Sequence, residues 1–143
     1  MTLLLAVLLF VGVGVPAAIH ALWGLGSTWP EETEEALARS VVGDGRRRMP
    51  PPWMSFAVAA LLAAVALWPF VLVAVGIESR ALVIGFALAG VFVARGMAGY
   101  SPRWRSHFRD EPFATRDRRY YSPYCLLMGV GYLALLAGEM ENL

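Results

Sequence analysis

Residues 2–23, TLLLAVLLFVGVGVPAAIHALW, run for twenty-two positions without a charged side chain. A helix of that length reaches roughly 33 Å at 1.5 Å per residue, enough to cross a hydrocarbon core of about 30 Å. Three more apolar runs follow, over residues 53–77, 81–99 and 123–138. Together they predict an all-α fold, a transmembrane four-helix up-down bundle that makes residues 1–143 a single domain.

Composition agrees with this reading, since 58% of the residues are hydrophobic, 16% are charged, and the charges gather between the runs. The net charge of +1 carries less information than its distribution. All twelve basic residues are arginine. A single cysteine, Cys125, excludes an intramolecular disulfide within the sequence.

The first run lacks the basic n-region of a secretory leader, exceeds a typical h-region and precedes no convincing cleavage site, so it reads as a span. Pro50, Pro51 and Pro52 fix the start of the second run, because proline suits the approach and first turn of a helix. Only a few residues up to Arg80 separate the second run from the third, which makes those helices antiparallel neighbours. Ser122 followed by Pro123 reads as a cap and first position of the fourth helix. In the first loop, a short interfacial helix is expected over about 29–42, with Thr28 and Glu31 as a capping box and Gly43 at its end.

Ten arginines lie in the loops after the first and third runs, leaving Arg80 and Arg95 elsewhere. By the positive-inside rule, those two long loops are predicted cytoplasmic and both termini outside. The acidic residues Glu31, Glu32, Glu34, Glu35 and Asp44 share the first loop but weigh little in that rule. Glu78, Glu139 and Glu141 fall at the outer ends and read as solvated.

Candidate functional residues cluster near the cytoplasmic ends. Gly12, Pro16 and His20 recur every four residues, so a stripe of small or special residues carries an imidazole toward one end of the first helix. Pro16 also withholds the hydrogen bond due to the Gly12 carbonyl. His20 then either points into the bundle, with Trp23 one turn on, or sits in headgroup water.

The third run has a similar stripe of Gly85, Ala89, Phe92, Arg95 or Gly96, and Gly99. An arginine within a span must snorkel outward or find a partner. Asp117, entering just before the fourth run, is the candidate carboxylate, although Arg116, Arg118 and Arg119 would ordinarily neutralise it in solvent. Tyr120, Tyr121 and Tyr124 read as an aromatic belt, and Tyr100 marks the end of the third run.

Three stretches carry a resemblance: HALWGLGSTWP from His20 to Pro30, RGMAGY from Arg95 to Tyr100, and DRRYYSPYC from Asp117 to Cys125. With them the chain resembles a family of small bacterial four-helix membrane proteins classed as a domain of unknown function. The resemblance implies the same fold and a bacterial inner membrane. It brings no activity with it.

The residues support two functional expectations at one cytoplasmic-side polar pocket. In the first, His20 and Arg95 hold the polar head of a lipid-like or lipophilic small molecule while Trp23, Phe92 and Tyr121 line its apolar part, and Tyr100 and Asp117 are counted among the ligand-binding residues. In the second, a membrane-embedded enzyme moves a proton on a lipophilic substrate, with His20 as acid or base, Asp117 orienting it and Arg95 stabilising negative charge.

His20, His107 and Cys125 lack the spacing of a metal or haem site, so no cofactor is expected. Membrane lipids are the expected partners. Nucleic acid is not, because the loop arginines have acidic neighbours. A conduit through one chain is disfavoured by the apolar outer halves of the helices, and an oligomeric channel or transporter is the weaker alternative. The alanine face of the second run (Ala59 and Ala63, Ala60 and Ala64) suits packing within the bundle or a homo-oligomer.

Overall fold

Once water is excluded, every backbone N–H must find a carbonyl in its own segment, so long apolar runs become helices. The computed structural model describes residues 1–75 and 79–141. Residues 76–78, with the expected end of the second span and Glu78, lie outside the described residues. Among the described residues, four helices are long and apolar enough to cross a membrane. They are α1 (Thr2–Gly24), α3 (Pro52–Val75), α4 (Ser79–Ala98) and a last span containing α7 (Ser122–Met140). Their outward faces stay apolar, as with Leu3, Leu8, Val15, Leu61, Val83, Val91 and Val130. Such a surface is stable against lipid rather than water, and the chain is an integral membrane protein.

Helix α1 packs most extensively on α3 and α4 on α7, while α7 also touches α1 and α3. The core between them is built from Leu9, Val13, Ala66, Leu72, Ala89, Met128, Tyr132, Leu135 and Leu136. The glycine stripe of α4 faces α7, and a side chain added at Gly129 of α7 would meet Val93 at 2.6 Å. Small residues there let two backbones approach closely enough for dispersion contacts to hold the pair. Of the alanine face on α3, Ala59 is buried and Ala60, Ala63 and Ala64 are exposed.

Prolines interrupt two of the spans, and α7 repairs both. Pro16 in α1 has no N–H to give the carbonyl of Gly12; the Tyr124 hydroxyl donates to that carbonyl instead. Pro69 in α3 leaves the carbonyl of Val65 in the same position, and the Tyr132 hydroxyl donates to it at 2.6 Å. An unpaired carbonyl in hydrocarbon is costly, so these bonds fix where α7 sits against both helices.

The loop end departs from expectation in two places. The short helix α2 is Glu34–Val41, and its cap is Thr33, whose Oγ1 accepts from the Ala36 N–H at 3.2 Å. Thr28 and Glu31 therefore form no capping box, because the Glu31 carboxylate is taken by Arg116 at 2.5 Å. Gly43 follows α2 with a positive φ of 73°, and a side chain there would overlap Phe113 at 2.1 Å.

The second departure is in the last span, which starts before Ser122. After α5 (Pro102–His107), the chain enters α6 (Phe113–Arg116), passes through a π-helical turn (Asp117–Tyr121) and continues into α7. Ser122 is fully buried inside this continuous helix and caps nothing. In the π register the Ser122 N–H reaches Asp117, so the next bond would run from Pro123 to Arg118. Proline cannot make it. The Tyr100 hydroxyl donates to the Arg118 carbonyl at 3.2 Å.

Candidate functional site

Two polar groups of residues occupy the loop end of the bundle. The first is closed around Asp117, which the π turn directs toward α4 and which is only 3% exposed. Arg95 donates from Nη2 to Asp117 Oδ1 at 2.6 Å, and Trp104 of α5 donates from Nε1 to Oδ2 at 3.0 Å. The guanidinium also lies 4.6 Å from the Trp104 ring centroid and reaches Ser122 Oγ at 3.5 Å. Arg95 thus finds a carboxylate partner rather than snorkelling, and Asp117 is not left among solvated arginines. A side chain at Gly99 would fall 1.8 Å from Ser122 Oγ and 2.9 Å from Asp117 Oδ2, so only glycine leaves room for this cluster.

The second group surrounds a cavity of about 450 Å³ between α1, α3, α4, the α2 region and the last span. Val13, Ile19, Leu62 and Phe92 supply apolar wall, and His20, Trp23, Tyr121, Tyr124, Cys125 and Arg116 bring the polar atoms. His20 Nδ1 donates to the Pro16 carbonyl at 2.8 Å, and its ring lies 4.8 Å from that of Trp23. Trp23 Nε1 donates to the carbonyl of Trp29 at 2.7 Å, tying the end of α1 to the loop. The Tyr121 hydroxyl donates to the Ser40 carbonyl of α2 at 3.1 Å. Tyr124, already engaged with Gly12, completes the wall.

Arg116 and Glu31 join α6 to the α2 loop across this cavity. Ser40 Oγ lies 2.8 Å from both Glu31 Oε1 and the Ala36 carbonyl, with one proton to share between them. Hydrogen bonding from Arg116 first, and then from Ser40, holds the Glu31 carboxyl below the usual carboxylate range. The cation on the lining is therefore already neutralised.

The seven residues singled out in the sequence divide between the two groups. His20, Trp23, Phe92 and Tyr121 line the cavity. Arg95, Asp117 and Tyr100 do not; the first two bind each other and the third serves the π turn. The cation on the cavity lining is Arg116, four positions after Pro112 in a segment that the sequence alone does not reveal as helical. No described hydrogen bond joins Asp117 to His20: the carboxylate oxygens accept from Arg95 and Trp104, and the imidazole Nδ1 donates to the Pro16 carbonyl.

Tyr121 and Tyr124 are half-buried hydrogen-bond donors rather than belt residues, whereas Tyr120 is exposed beside Arg119. His107 packs on Phe108 at 4.7 Å in the loop and does not reach His20's cavity. Among the described residues, no three His, Cys, Asp or Glu side chains gather as a metal-binding set.

Tyr124, Tyr132 and Trp104 are the functional or supporting residues that sequence reading missed. A signal for the tyrosines exists: each proline inside an apolar run marks a carbonyl four residues earlier that needs an outside donor. Trp104 has no such signal, because its role depends on how the loop folds back. No curated protein and no solved structure matches the chain. Over residues 13–132 it matches the model of a family described as protein of unknown function (DUF3995), and the chain belongs to that family.

Proposed function

We propose that this membrane protein binds a lipophilic small molecule in the cavity between His20, Leu62, Phe92 and Tyr121. One observation carries the reading: a space of about 450 Å³ with largely apolar walls persists beside a core that is otherwise filled. A volume of that order, with a few polar groups to fix orientation, is usual for a small-molecule site. The arginine-rich loops at the same end support placing the cavity toward the cytoplasmic leaflet of a bacterial inner membrane, with both termini on the far side. Ligand would then come from the lipid phase, where an amphiphile is concentrated.

The test uses the full chain purified in mild detergent, followed by native mass spectrometry and organic extraction. The expected result is a retained amphiphile that is lost from Leu62→Trp, a substitution that fills the cavity from α3. Absence of any retained amphiphile, or equal retention by Leu62→Trp, overturns the proposal.

A further inference from the structure

We infer that the cavity selects a ligand whose polar head is a neutral hydrogen-bond donor, a phenol or an alcohol, an inference that rests on the binding reading above. Four polar side chains on the lining have their N–H or O–H engaged by backbone carbonyls. These are His20 Nδ1 on Pro16, Trp23 Nε1 on Trp29, the Tyr121 hydroxyl on Ser40 and the Tyr124 hydroxyl on Gly12. A hydroxyl that donates still has lone pairs, and a neutral imidazole protonated at Nδ1 has a lone pair at Nε2. No described hydrogen bond uses that nitrogen.

The Tyr121 oxygen also accepts from Arg116, so the unused capacity of these four groups is one of acceptors at Nε2 of His20 and at the Tyr124 oxygen. Beside His20 Nε2, a head that only accepts, such as an ether or ketone, would face lone pair against lone pair. An anionic head would meet a guanidinium at Arg116 whose charge Glu31 already balances. A neutral O–H meets an acceptor that lacks a partner, in a wall too apolar for water to compete well. Phe92 and Trp23 suit an aromatic body next to that head.

The experiment places the full chain in phosphatidylcholine nanodiscs and adds 4-octylphenol or its methyl ether at the same mole fraction of lipid. Native mass spectrometry then reads occupancy. The expected result is about tenfold higher occupancy by the phenol, as one well-placed hydrogen bond gives. In His20→Phe the two probes become equal, and in Leu62→Trp both are lost. Equal occupancy by phenol and ether in the unmodified protein, with both lost in Leu62→Trp, overturns the donor inference and leaves the cavity as a lipophile site. Binding of neither probe, or binding indifferent to Leu62→Trp, overturns both.

Discussion

The two polar groups at the loop end obey opposite rules. Around Asp117 each charge has its partner, and the packing is tight enough that Gly99 cannot gain a methyl group. Around His20 the imidazole Nδ1 and the Trp23 indole N–H are engaged while the imidazole Nε2 and open space are left over. The difference teaches that burial of charge alone does not mark a site. A matched ion pair holds the helices in place; a half-matched wall with room beside it has capacity for something else.

The largest expected effect comes from breaking the closed cluster. Asp117→Ala strands the Arg95 guanidinium and is expected to cost about 3–5 kcal/mol, read from unfolding in detergent by circular dichroism. Replacing both, as Arg95→Met with Asp117→Leu, should recover most of that loss, since a matched apolar pair leaves no stranded charge. If Asp117→Ala proved no worse than a tyrosine truncation, the cluster would not be the closed one described. Gly99→Ala comes next, at about 1–3 kcal/mol, because the added carbon overlaps Ser122. Tyr132→Phe removes the donor from the Val65 carbonyl and is expected to cost about 0.5–2 kcal/mol in the same assay.

On the open side, Leu62→Trp should change stability by less than about 1 kcal/mol while removing the retained amphiphile, because it fills space that is already present. A loss of several kcal/mol would mean the cavity wall is as constrained as the cluster.

The smallest effect concerns Glu31. Its carboxyl is held low in the folded protein, so it adds stability above its unfolded value of about 4.3, and that contribution disappears as pH falls through the lower folded value. The pair is partly exposed, so the gain is only about 0.2–1 kcal/mol. Melting curves should show Glu31→Gln below the unmodified protein at pH 7, with the gap narrowing as the pH falls below about 4. A gap that stays constant with pH would exclude the ion pair as its cause.

Most of the fold was legible because lipid leaves the backbone few choices. Length and apolarity identify the four spans, and proline placement dictates where their ladders fail. The stripes of small residues on α1 and α4 are equally visible, since period and size are properties of the sequence. Asp117 as partner for Arg95 follows from the cost of an unpaired charge within a span.

What stayed hidden depends on tertiary return. A π turn shifts register by one residue, which swings Asp117 toward α4 and presents Arg116 to the cavity, and no local pattern announces it. The short helix begins late because Glu31 is claimed by a residue 85 positions away. Ser122 before Pro123 has the pattern of a helix start, yet the upstream segment remains helical and makes it an interior residue.

The paired prolines and tyrosines also have a consequence for biogenesis. Gly12 and Val65 belong to helices synthesised before α7, so their open carbonyls reach the bilayer with no permanent donor and are satisfied only when Tyr124 and Tyr132 arrive. The early hairpin is thereby left adhesive, holding a docking address for a later helix that leucine packing alone would not specify.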